Sequence, residues 1–182
     1  MSKFLLWLKQ LFSPPVQVQP LPVINPTKPP APVVVLPPSA DPIPWHTKLL
    51  SVLGMYELLP SGVVNPLVTE MFTYTTYHTK LNEAWCAAAQ CWALELTGYK
   101  STHDASAISF KDYGTPSDYK KGAIVVIEHP SGGHHVTQFV EWVDQKKNLA
   151  RCLGGNQGDH VKYSIYDFNS DKPIACRWPV KG

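Results

Sequence analysis

GAIVVIEHPSGGHHVTQFVEWV, residues 122–143, decides the class of fold. Residues 123–128 (AIVVIE), with four β-branched residues in succession at 124–127, form a buried-strand run. Residues 134–143 (HHVTQFVEWV) are a second strand, and Gly132-Gly133 between the two marks a turn. Downstream, LARCLGG (149–155), HVKYSIY (160–166) and PIACRW (173–178) read as three more strands. Upstream the hydrophobic period becomes helical. WHTKLLSVLGMYELL (45–59) places Leu49, Leu50, Leu53 and Tyr56 on one stripe, broken by Pro60-Ser61-Gly62. NPLVTEMFTYTT (65–76) opens with an N-cap and then proline at the first helical position. NEAWCAAAQCWALELTG (82–98) reads as one helix, with Asn82 as candidate N-cap and Gly98 just past the last apolar position. A short helix is expected near 104–113. Helices first and a meander of strands after them predict an α+β fold. Its helices pack on one face of an antiparallel sheet of about five strands.

The first 44 residues differ in kind. Of 18 prolines, 12 fall between Pro14 and Pro44. Residues 13–44 contain no glycine and read as a semi-rigid polyproline linker reaching up to about 100 Å. Ahead of it, residues 1–12 (MSKFLLWLKQLF) are apolar from Phe4 on except for Lys9 and Gln10. Such a segment spans about 13 Å as a helix, far short of the roughly 30 Å bilayer core. Lys9 interrupts the apolar region and no small-residue cleavage site follows, which argues against a signal peptide. It reads as a short amphipathic helix whose Trp7, Leu8 and Leu11 enter a membrane surface or a partner's groove. The domain proper is then 45–182. Residues 1–44 hold three lysines and one acid, the domain thirteen basic and thirteen acidic residues. With no basic stripe, no nucleic-acid partner is expected.

Cysteines stand at 86, 91, 152 and 176, and no CxxC pair exists, so neither a zinc ribbon nor a thioredoxin motif is present. Cys152 and Cys176 fall in strands and read either as a bridge or as two buried free thiols. His129, His134, His135 and Cys152 are ligand-type residues without any standard metal spacing. No metal or other cofactor is expected. Cys86 sits in the first turn of its helix, where unpaired N–H groups and the helix dipole favour a thiolate nucleophile. The plainer reading of this position is a small buried residue. A nucleophile needs a base. His134 and His135 open the second strand. Adjacent strand residues point to opposite faces, so one of them faces the helix, and periodicity does not choose which. Asn156, in LGGNQGDH (153–160), offers an amide to orient an imidazole. Asn among glycines is equally ordinary turn chemistry.

AWCAA (84–88), GHHVTQFVEW (133–142) and LGGNQGD (153–159), in that order, resemble the CHAP class of NlpC-type cysteine peptidases and amidases. In particular they resemble its phage-associated subgroup, with a helix-opening Trp-Cys, a Gly-His-Val strand and a Gly-Gly-Asn-Gln turn. The resemblance runs from Trp45 to Pro179. It implies a papain-like fold with Cys86 as nucleophile, His135 as base and Asn156 as the third residue. It also implies hydrolysis of a peptidoglycan amide bond, within the stem peptide or between muramic acid and alanine. Such a protein acts in the bacterial periplasm or cell wall, as a phage lysin, a virion-associated lysin or a secreted antibacterial effector. Residues 1–12 would tether it to a membrane, a virion or a secretion partner. Trp85, beside the nucleophile, is expected either to line the substrate cleft or to join the core. His134 and Gln138 depart from the family pattern, which prefers a small residue at the first position and a glycine or aromatic at the second. The competing expectation is a non-catalytic wall-binding or virion structural protein on the same fold. The hydrolase expectation depends on an ionised Cys86 sulfur, open to substrate and within proton-transfer reach of His135.

Overall fold

The computed structural model describes residues 42–77 and 83–181. The expected anchor (1–12), the linker up to residue 41 and Asn82 lie outside the described residues. The domain begins slightly before Trp45. Ile43 precedes helix α1 (Pro44–Leu50) and packs on the core, and Pro44 supplies a preset φ at the first helical position. α1 is shorter than its apolar stripe predicts. It stops at Ser51, the chain turns through Gly54 at φ 85°, and Leu53 and Tyr56 are left exposed. Helix α2 (Pro66–Phe72) is capped by Asn65, whose side chain accepts from the Leu67 N–H at 3.0 Å.

Helix α3 (Cys86–Glu95) starts later than expected, with Trp85 rather than Asn82 at the N-cap. Every residue from Cys86 to Leu94 is buried. Ala87, Ala88, Ala89 and Ala93 give α3 a thin cross-section, so α1, α2 and the sheet can all close on it. A 3₁₀ turn at Ala107–Asp112 occupies the place of the expected short helix.

Six strands follow: β1 (Thr115–Pro116), β2 (Ile124–Glu128), β3 (His134–Asp144), β4 (Leu149–Gly154), β5 (Lys162–Asp167) and β6 (Lys172–Trp178). Their order across the sheet is β1-β6-β2-β3-β4-β5, and every neighbouring pair is antiparallel. The fold is thus α+β, and β1 is a two-residue edge added to the five strands legible in the sequence. Alternation along the strands builds two cores. Ile124, Val126, Val136 and Leu153 face the helices, whereas Val125, Ile127, Phe139 and Cys152 form a smaller cluster on the opposite face. Tyr119, Trp142 and Phe168 close over that second cluster, with ring centroids 5.2–5.7 Å apart.

Gln138 ties three elements together. Its Nε2 donates to Gln90 Oε1 of α3 at 2.8 Å, and its Oε1 lies 2.9 Å from His46 Nδ1 of α1. One buried amide thus fixes the registers of α1 and α3 against β3. Gln138→Leu keeps the volume but strips Gln90 Oε1 of its donor. The expected cost is about 1–3 kcal/mol, read as a lower urea midpoint at unchanged slope. A midpoint equal to the wild type's would show that this amide holds nothing.

Candidate active site

The site forms where the sheet splits. Pairing of β3 with β4 ends at Gln138↔Leu153. Beyond it, Gly154-Gly155 carries β4 away onto α3. A Cβ at Gly155 would lie 2.6 Å from the Trp85 ring and 2.7 Å from Ala89 Cβ, so only glycine permits this approach. Phe139 exchanges backbone hydrogen bonds with Gly122 and Ala123 on the β2 side. By alternation the Val136 N–H points the other way, into the gap that β4 has left. The Cys86 sulfur lies near the backbone N–H groups of Val136, of Ala87 and of Cys86 itself, close enough for each to favour its thiolate. The last two are free to do so because the first N–H groups of a helix have no partner within it.

These donors favour the thiolate, yet burial outweighs them. Cys86 is 3% exposed, and desolvation raises its pKa above that of an ordinary thiol. The expectation of an ionised, open sulfur is therefore corrected: the resting group is a covered, neutral thiol. His135 is 7% exposed, and burial lowers its pKa to about 4, against the opposing hydrogen bond to Gln157. At neutral pH both groups are neutral, and no hydrogen bond joins them among the described residues.

The tautomer of His135 follows from Gln157. The Gln157 Nε2 donates to the Lys162 carbonyl at 2.5 Å and to Ser164 Oγ at 3.1 Å. Its Oε1 therefore faces the other way, accepting from Thr137 Oγ1 at 2.8 Å and from the Tyr166 hydroxyl at 3.2 Å. His135 Nε2 approaches the same oxygen at a long 3.4 Å. An amide oxygen only accepts, so the imidazole proton sits on Nε2. Nδ1 keeps its lone pair and has no hydrogen-bond partner among the described residues. The Tyr166 ring stacks on His135 at 5.9 Å and lies near enough to Cys86 to feel a charge there. His129, paired with Asp171 at 2.8 Å, completes the group at 6.1 Å from the His135 ring.

Alternation puts His134 on the helix-facing row, exposed at the start of β3. His135 shares its row with Thr137 and is the buried member of the pair. Cys86 and His135 meet β3 at consecutive residues, the sulfur at the Val136 backbone and the imidazole at position 135. Asn156 is half-buried, in the left-handed conformation at φ 55°, and borders a cleft. The side chain hydrogen-bonded to the His135 ring is that of Gln157, the next residue. Trp85 does not line the cleft: it is fully buried beneath Gly155, and its Nε1 donates to Glu57 at 3.2 Å. Among the described residues no three His, Cys, Asp or Glu side chains converge to hold a metal ion, and all four cysteines are free. The cleft, of about 450 Å³, opens in front of α3, between Tyr56 and Glu57, Glu83 and Ala84, and Asn156 and His160.

If His135 serves as a base, it must be neutral. The acid limb of kcat/KM, which reports the free protein, is then expected near pH 4, the depressed pKa, rather than near the ordinary histidine value of about 6.5. A pH–rate profile checks this, and a limb at 6–7 would contradict the buried neutral imidazole. Comparison of the chain with protein-family models, curated proteins and solved structures gives no match.

Proposed function

We propose that the domain is a cysteine hydrolase of peptidoglycan amide bonds, working by acyl transfer through Cys86. One observation carries this reading. A thiol at the first position of a helix sits under three backbone N–H groups, one of them adjacent to a histidine whose tautomer leaves Nδ1 basic. In the proposed reaction His135 Nδ1 takes the thiol proton as the sulfur bonds to the carbonyl carbon. The oxyanion takes the Cys86 N–H as donor, an interaction whose loss typically costs about 3 kcal/mol. As the C–N bond breaks, the proton passes from His135 to the leaving amine. Water, deprotonated by His135, then releases the acyl group from sulfur. Because the pair starts neutral, charge separates only on the way to the transition state, where the N–H groups receive it. Gln157, rather than Asn156, orients the imidazole.

The papain-like arrangement belongs to this proposal: a helix-borne nucleophile set against an antiparallel sheet that supplies the base. The wall substrate and the bacterial periplasm or cell wall as site of action rest on the resemblance of the WCAA, GHHV and GGNQ segments. Residues 1–12 and the proline-rich segment are the proposed tether and spacer. Incubation of the full chain with purified cell walls tests the reading. New amines and lighter muropeptides in the mass spectrum are expected; walls left unchanged would refute it.

A second reading is favoured by the burial itself, which takes away the open, ionised sulfur on which the hydrolase expectation rests. A thiol 3% exposed with a raised pKa is what a structural cysteine shows. On that reading the domain binds the wall or builds a virion without cutting, and it would sediment with walls while releasing no amine.

A further inference from the structure

We propose that the cleft in front of α3 binds a primary ammonium group of the peptide substrate, received by Glu57. The site rests on the hydrolase reading for its substrate, not for its chemistry. Glu57 is 8% exposed and lines the cleft. One carboxylate oxygen, Oε2, takes the Trp85 indole N–H at 3.2 Å, and Oε1 has no partner among the described residues. The backbone that carries the carboxylate is held at both of its polar groups. The Glu57 N–H donates to the Asp159 carbonyl at 2.8 Å, and its carbonyl accepts from the Asn65 N–H at 2.7 Å. The second oxygen opens on the cleft, where a bound donor would complete the carboxylate.

The donor's chemistry can be read from the walls. Glu83 and Asp159 also line the cleft, and no lysine or arginine does among the described residues, so a cation is favoured. A guanidinium engages both oxygens of a carboxylate as a fork. Here the indole already holds one oxygen, which suits a single-point ammonium. Tyr56 and His160, tilted at 53° with ring centroids 3.8 Å apart, form an aromatic wall for the carbon chain or sugar next to that group. The cleft reaches Ala84, two residues before Cys86, and Asn156, beside Gln157. The ammonium therefore belongs near the scissile amide, on a wall peptide carrying a free side-chain or terminal amine.

The test compares muropeptides from purified walls, with amines free or acetylated, on the full chain and on Glu57→Gln. That variant keeps an acceptor for Trp85 and loses only the charge; a thermal melt confirms its fold. Acetylation is expected to lower wild-type kcat/KM about tenfold or more, through KM. Glu57→Gln should lose a similar factor on free amines and treat both pools alike. Equal wild-type rates on the two pools, or discrimination retained in Glu57→Gln, would overturn the proposal. Calorimetric binding of the same pools separates it from the hydrolase reading. If neither pool is cut but the free-amine pool binds more tightly, the ammonium site stands and the hydrolase falls. If the pools are neither distinguished in cleavage nor in binding, the site falls.

Discussion

Cys86→Ala is expected to drop amine release from cell walls to background, about a thousandfold or more below wild type, with the fold intact. The two halves of that result have separate causes. In the proposed reaction the sulfur forms the acyl bond, and a methyl group cannot replace it chemically. Structurally the loss is small: one sulfur from a buried position, and an acceptor taken from the Val136 and Ala87 N–H groups. That should cost about 1–3 kcal/mol, visible in a thermal melt but not unfolding. Cys86→Ser is expected to be equally inactive. An imidazole whose pKa is lowered to about 4 is too weak a base to activate a hydroxyl. Because nucleophile and base act as a unit, Cys86→Ala combined with His135→Ala should be no worse than either alone. Wall digestion by Cys86→Ala at the wild-type rate would remove the sulfur from the mechanism altogether.

What could be read from the chain was whatever depends on local pattern. The β-branched runs between Ala123 and Trp178 mark strands because buried strands need little else. The alanine-rich stretch after Trp85 marks a helix whose first turn holds a thiol. What could not be read depends on distant atoms. The dipole at Cys86 is visible in sequence, but the desolvation that overrules it comes from the sheet closing over the sulfur. Asn156 and Gln157 are adjacent amides, and no spacing rule ranks them. The left-handed turn at Asn156 brings Gln157 back against Thr137 and His135. The available signal was Gly154 two positions before, where a Cβ would collide with Gln157 Oε1 at 2.7 Å. The stripe through Tyr56 misled because Gly54 turns the chain before the helical period can run on.

Trp85→Ala is expected to destabilise the domain by about 3–5 kcal/mol, the largest cost of any single truncation near the site. The indole is fully buried and covered by Gly155 at a distance only glycine allows, and its residue holds the N-cap position of α3 immediately before Cys86. Removing it opens a cavity that the Gly155 backbone cannot fill without parting from β4. It also leaves Glu57, 8% exposed, without the donor on Oε2. Trp85→Phe separates these effects. It retains most of the ring against Gly155 and Ala89 but removes the N–H, so its cost should be smaller, about 1–3 kcal/mol. Against a total stability of about 5–15 kcal/mol, the alanine variant should melt on the order of 10 °C lower, with phenylalanine in between. Near-ultraviolet circular dichroism during heating reads both. A Trp85→Ala midpoint close to wild type would place the indole at the surface, and Trp85 would return as a candidate wall of the substrate cleft. The expected order instead makes Trp85 the strut that holds the nucleophile's helix against the turn carrying Gln157, so that loss of packing should reach the chemistry even where the fold survives.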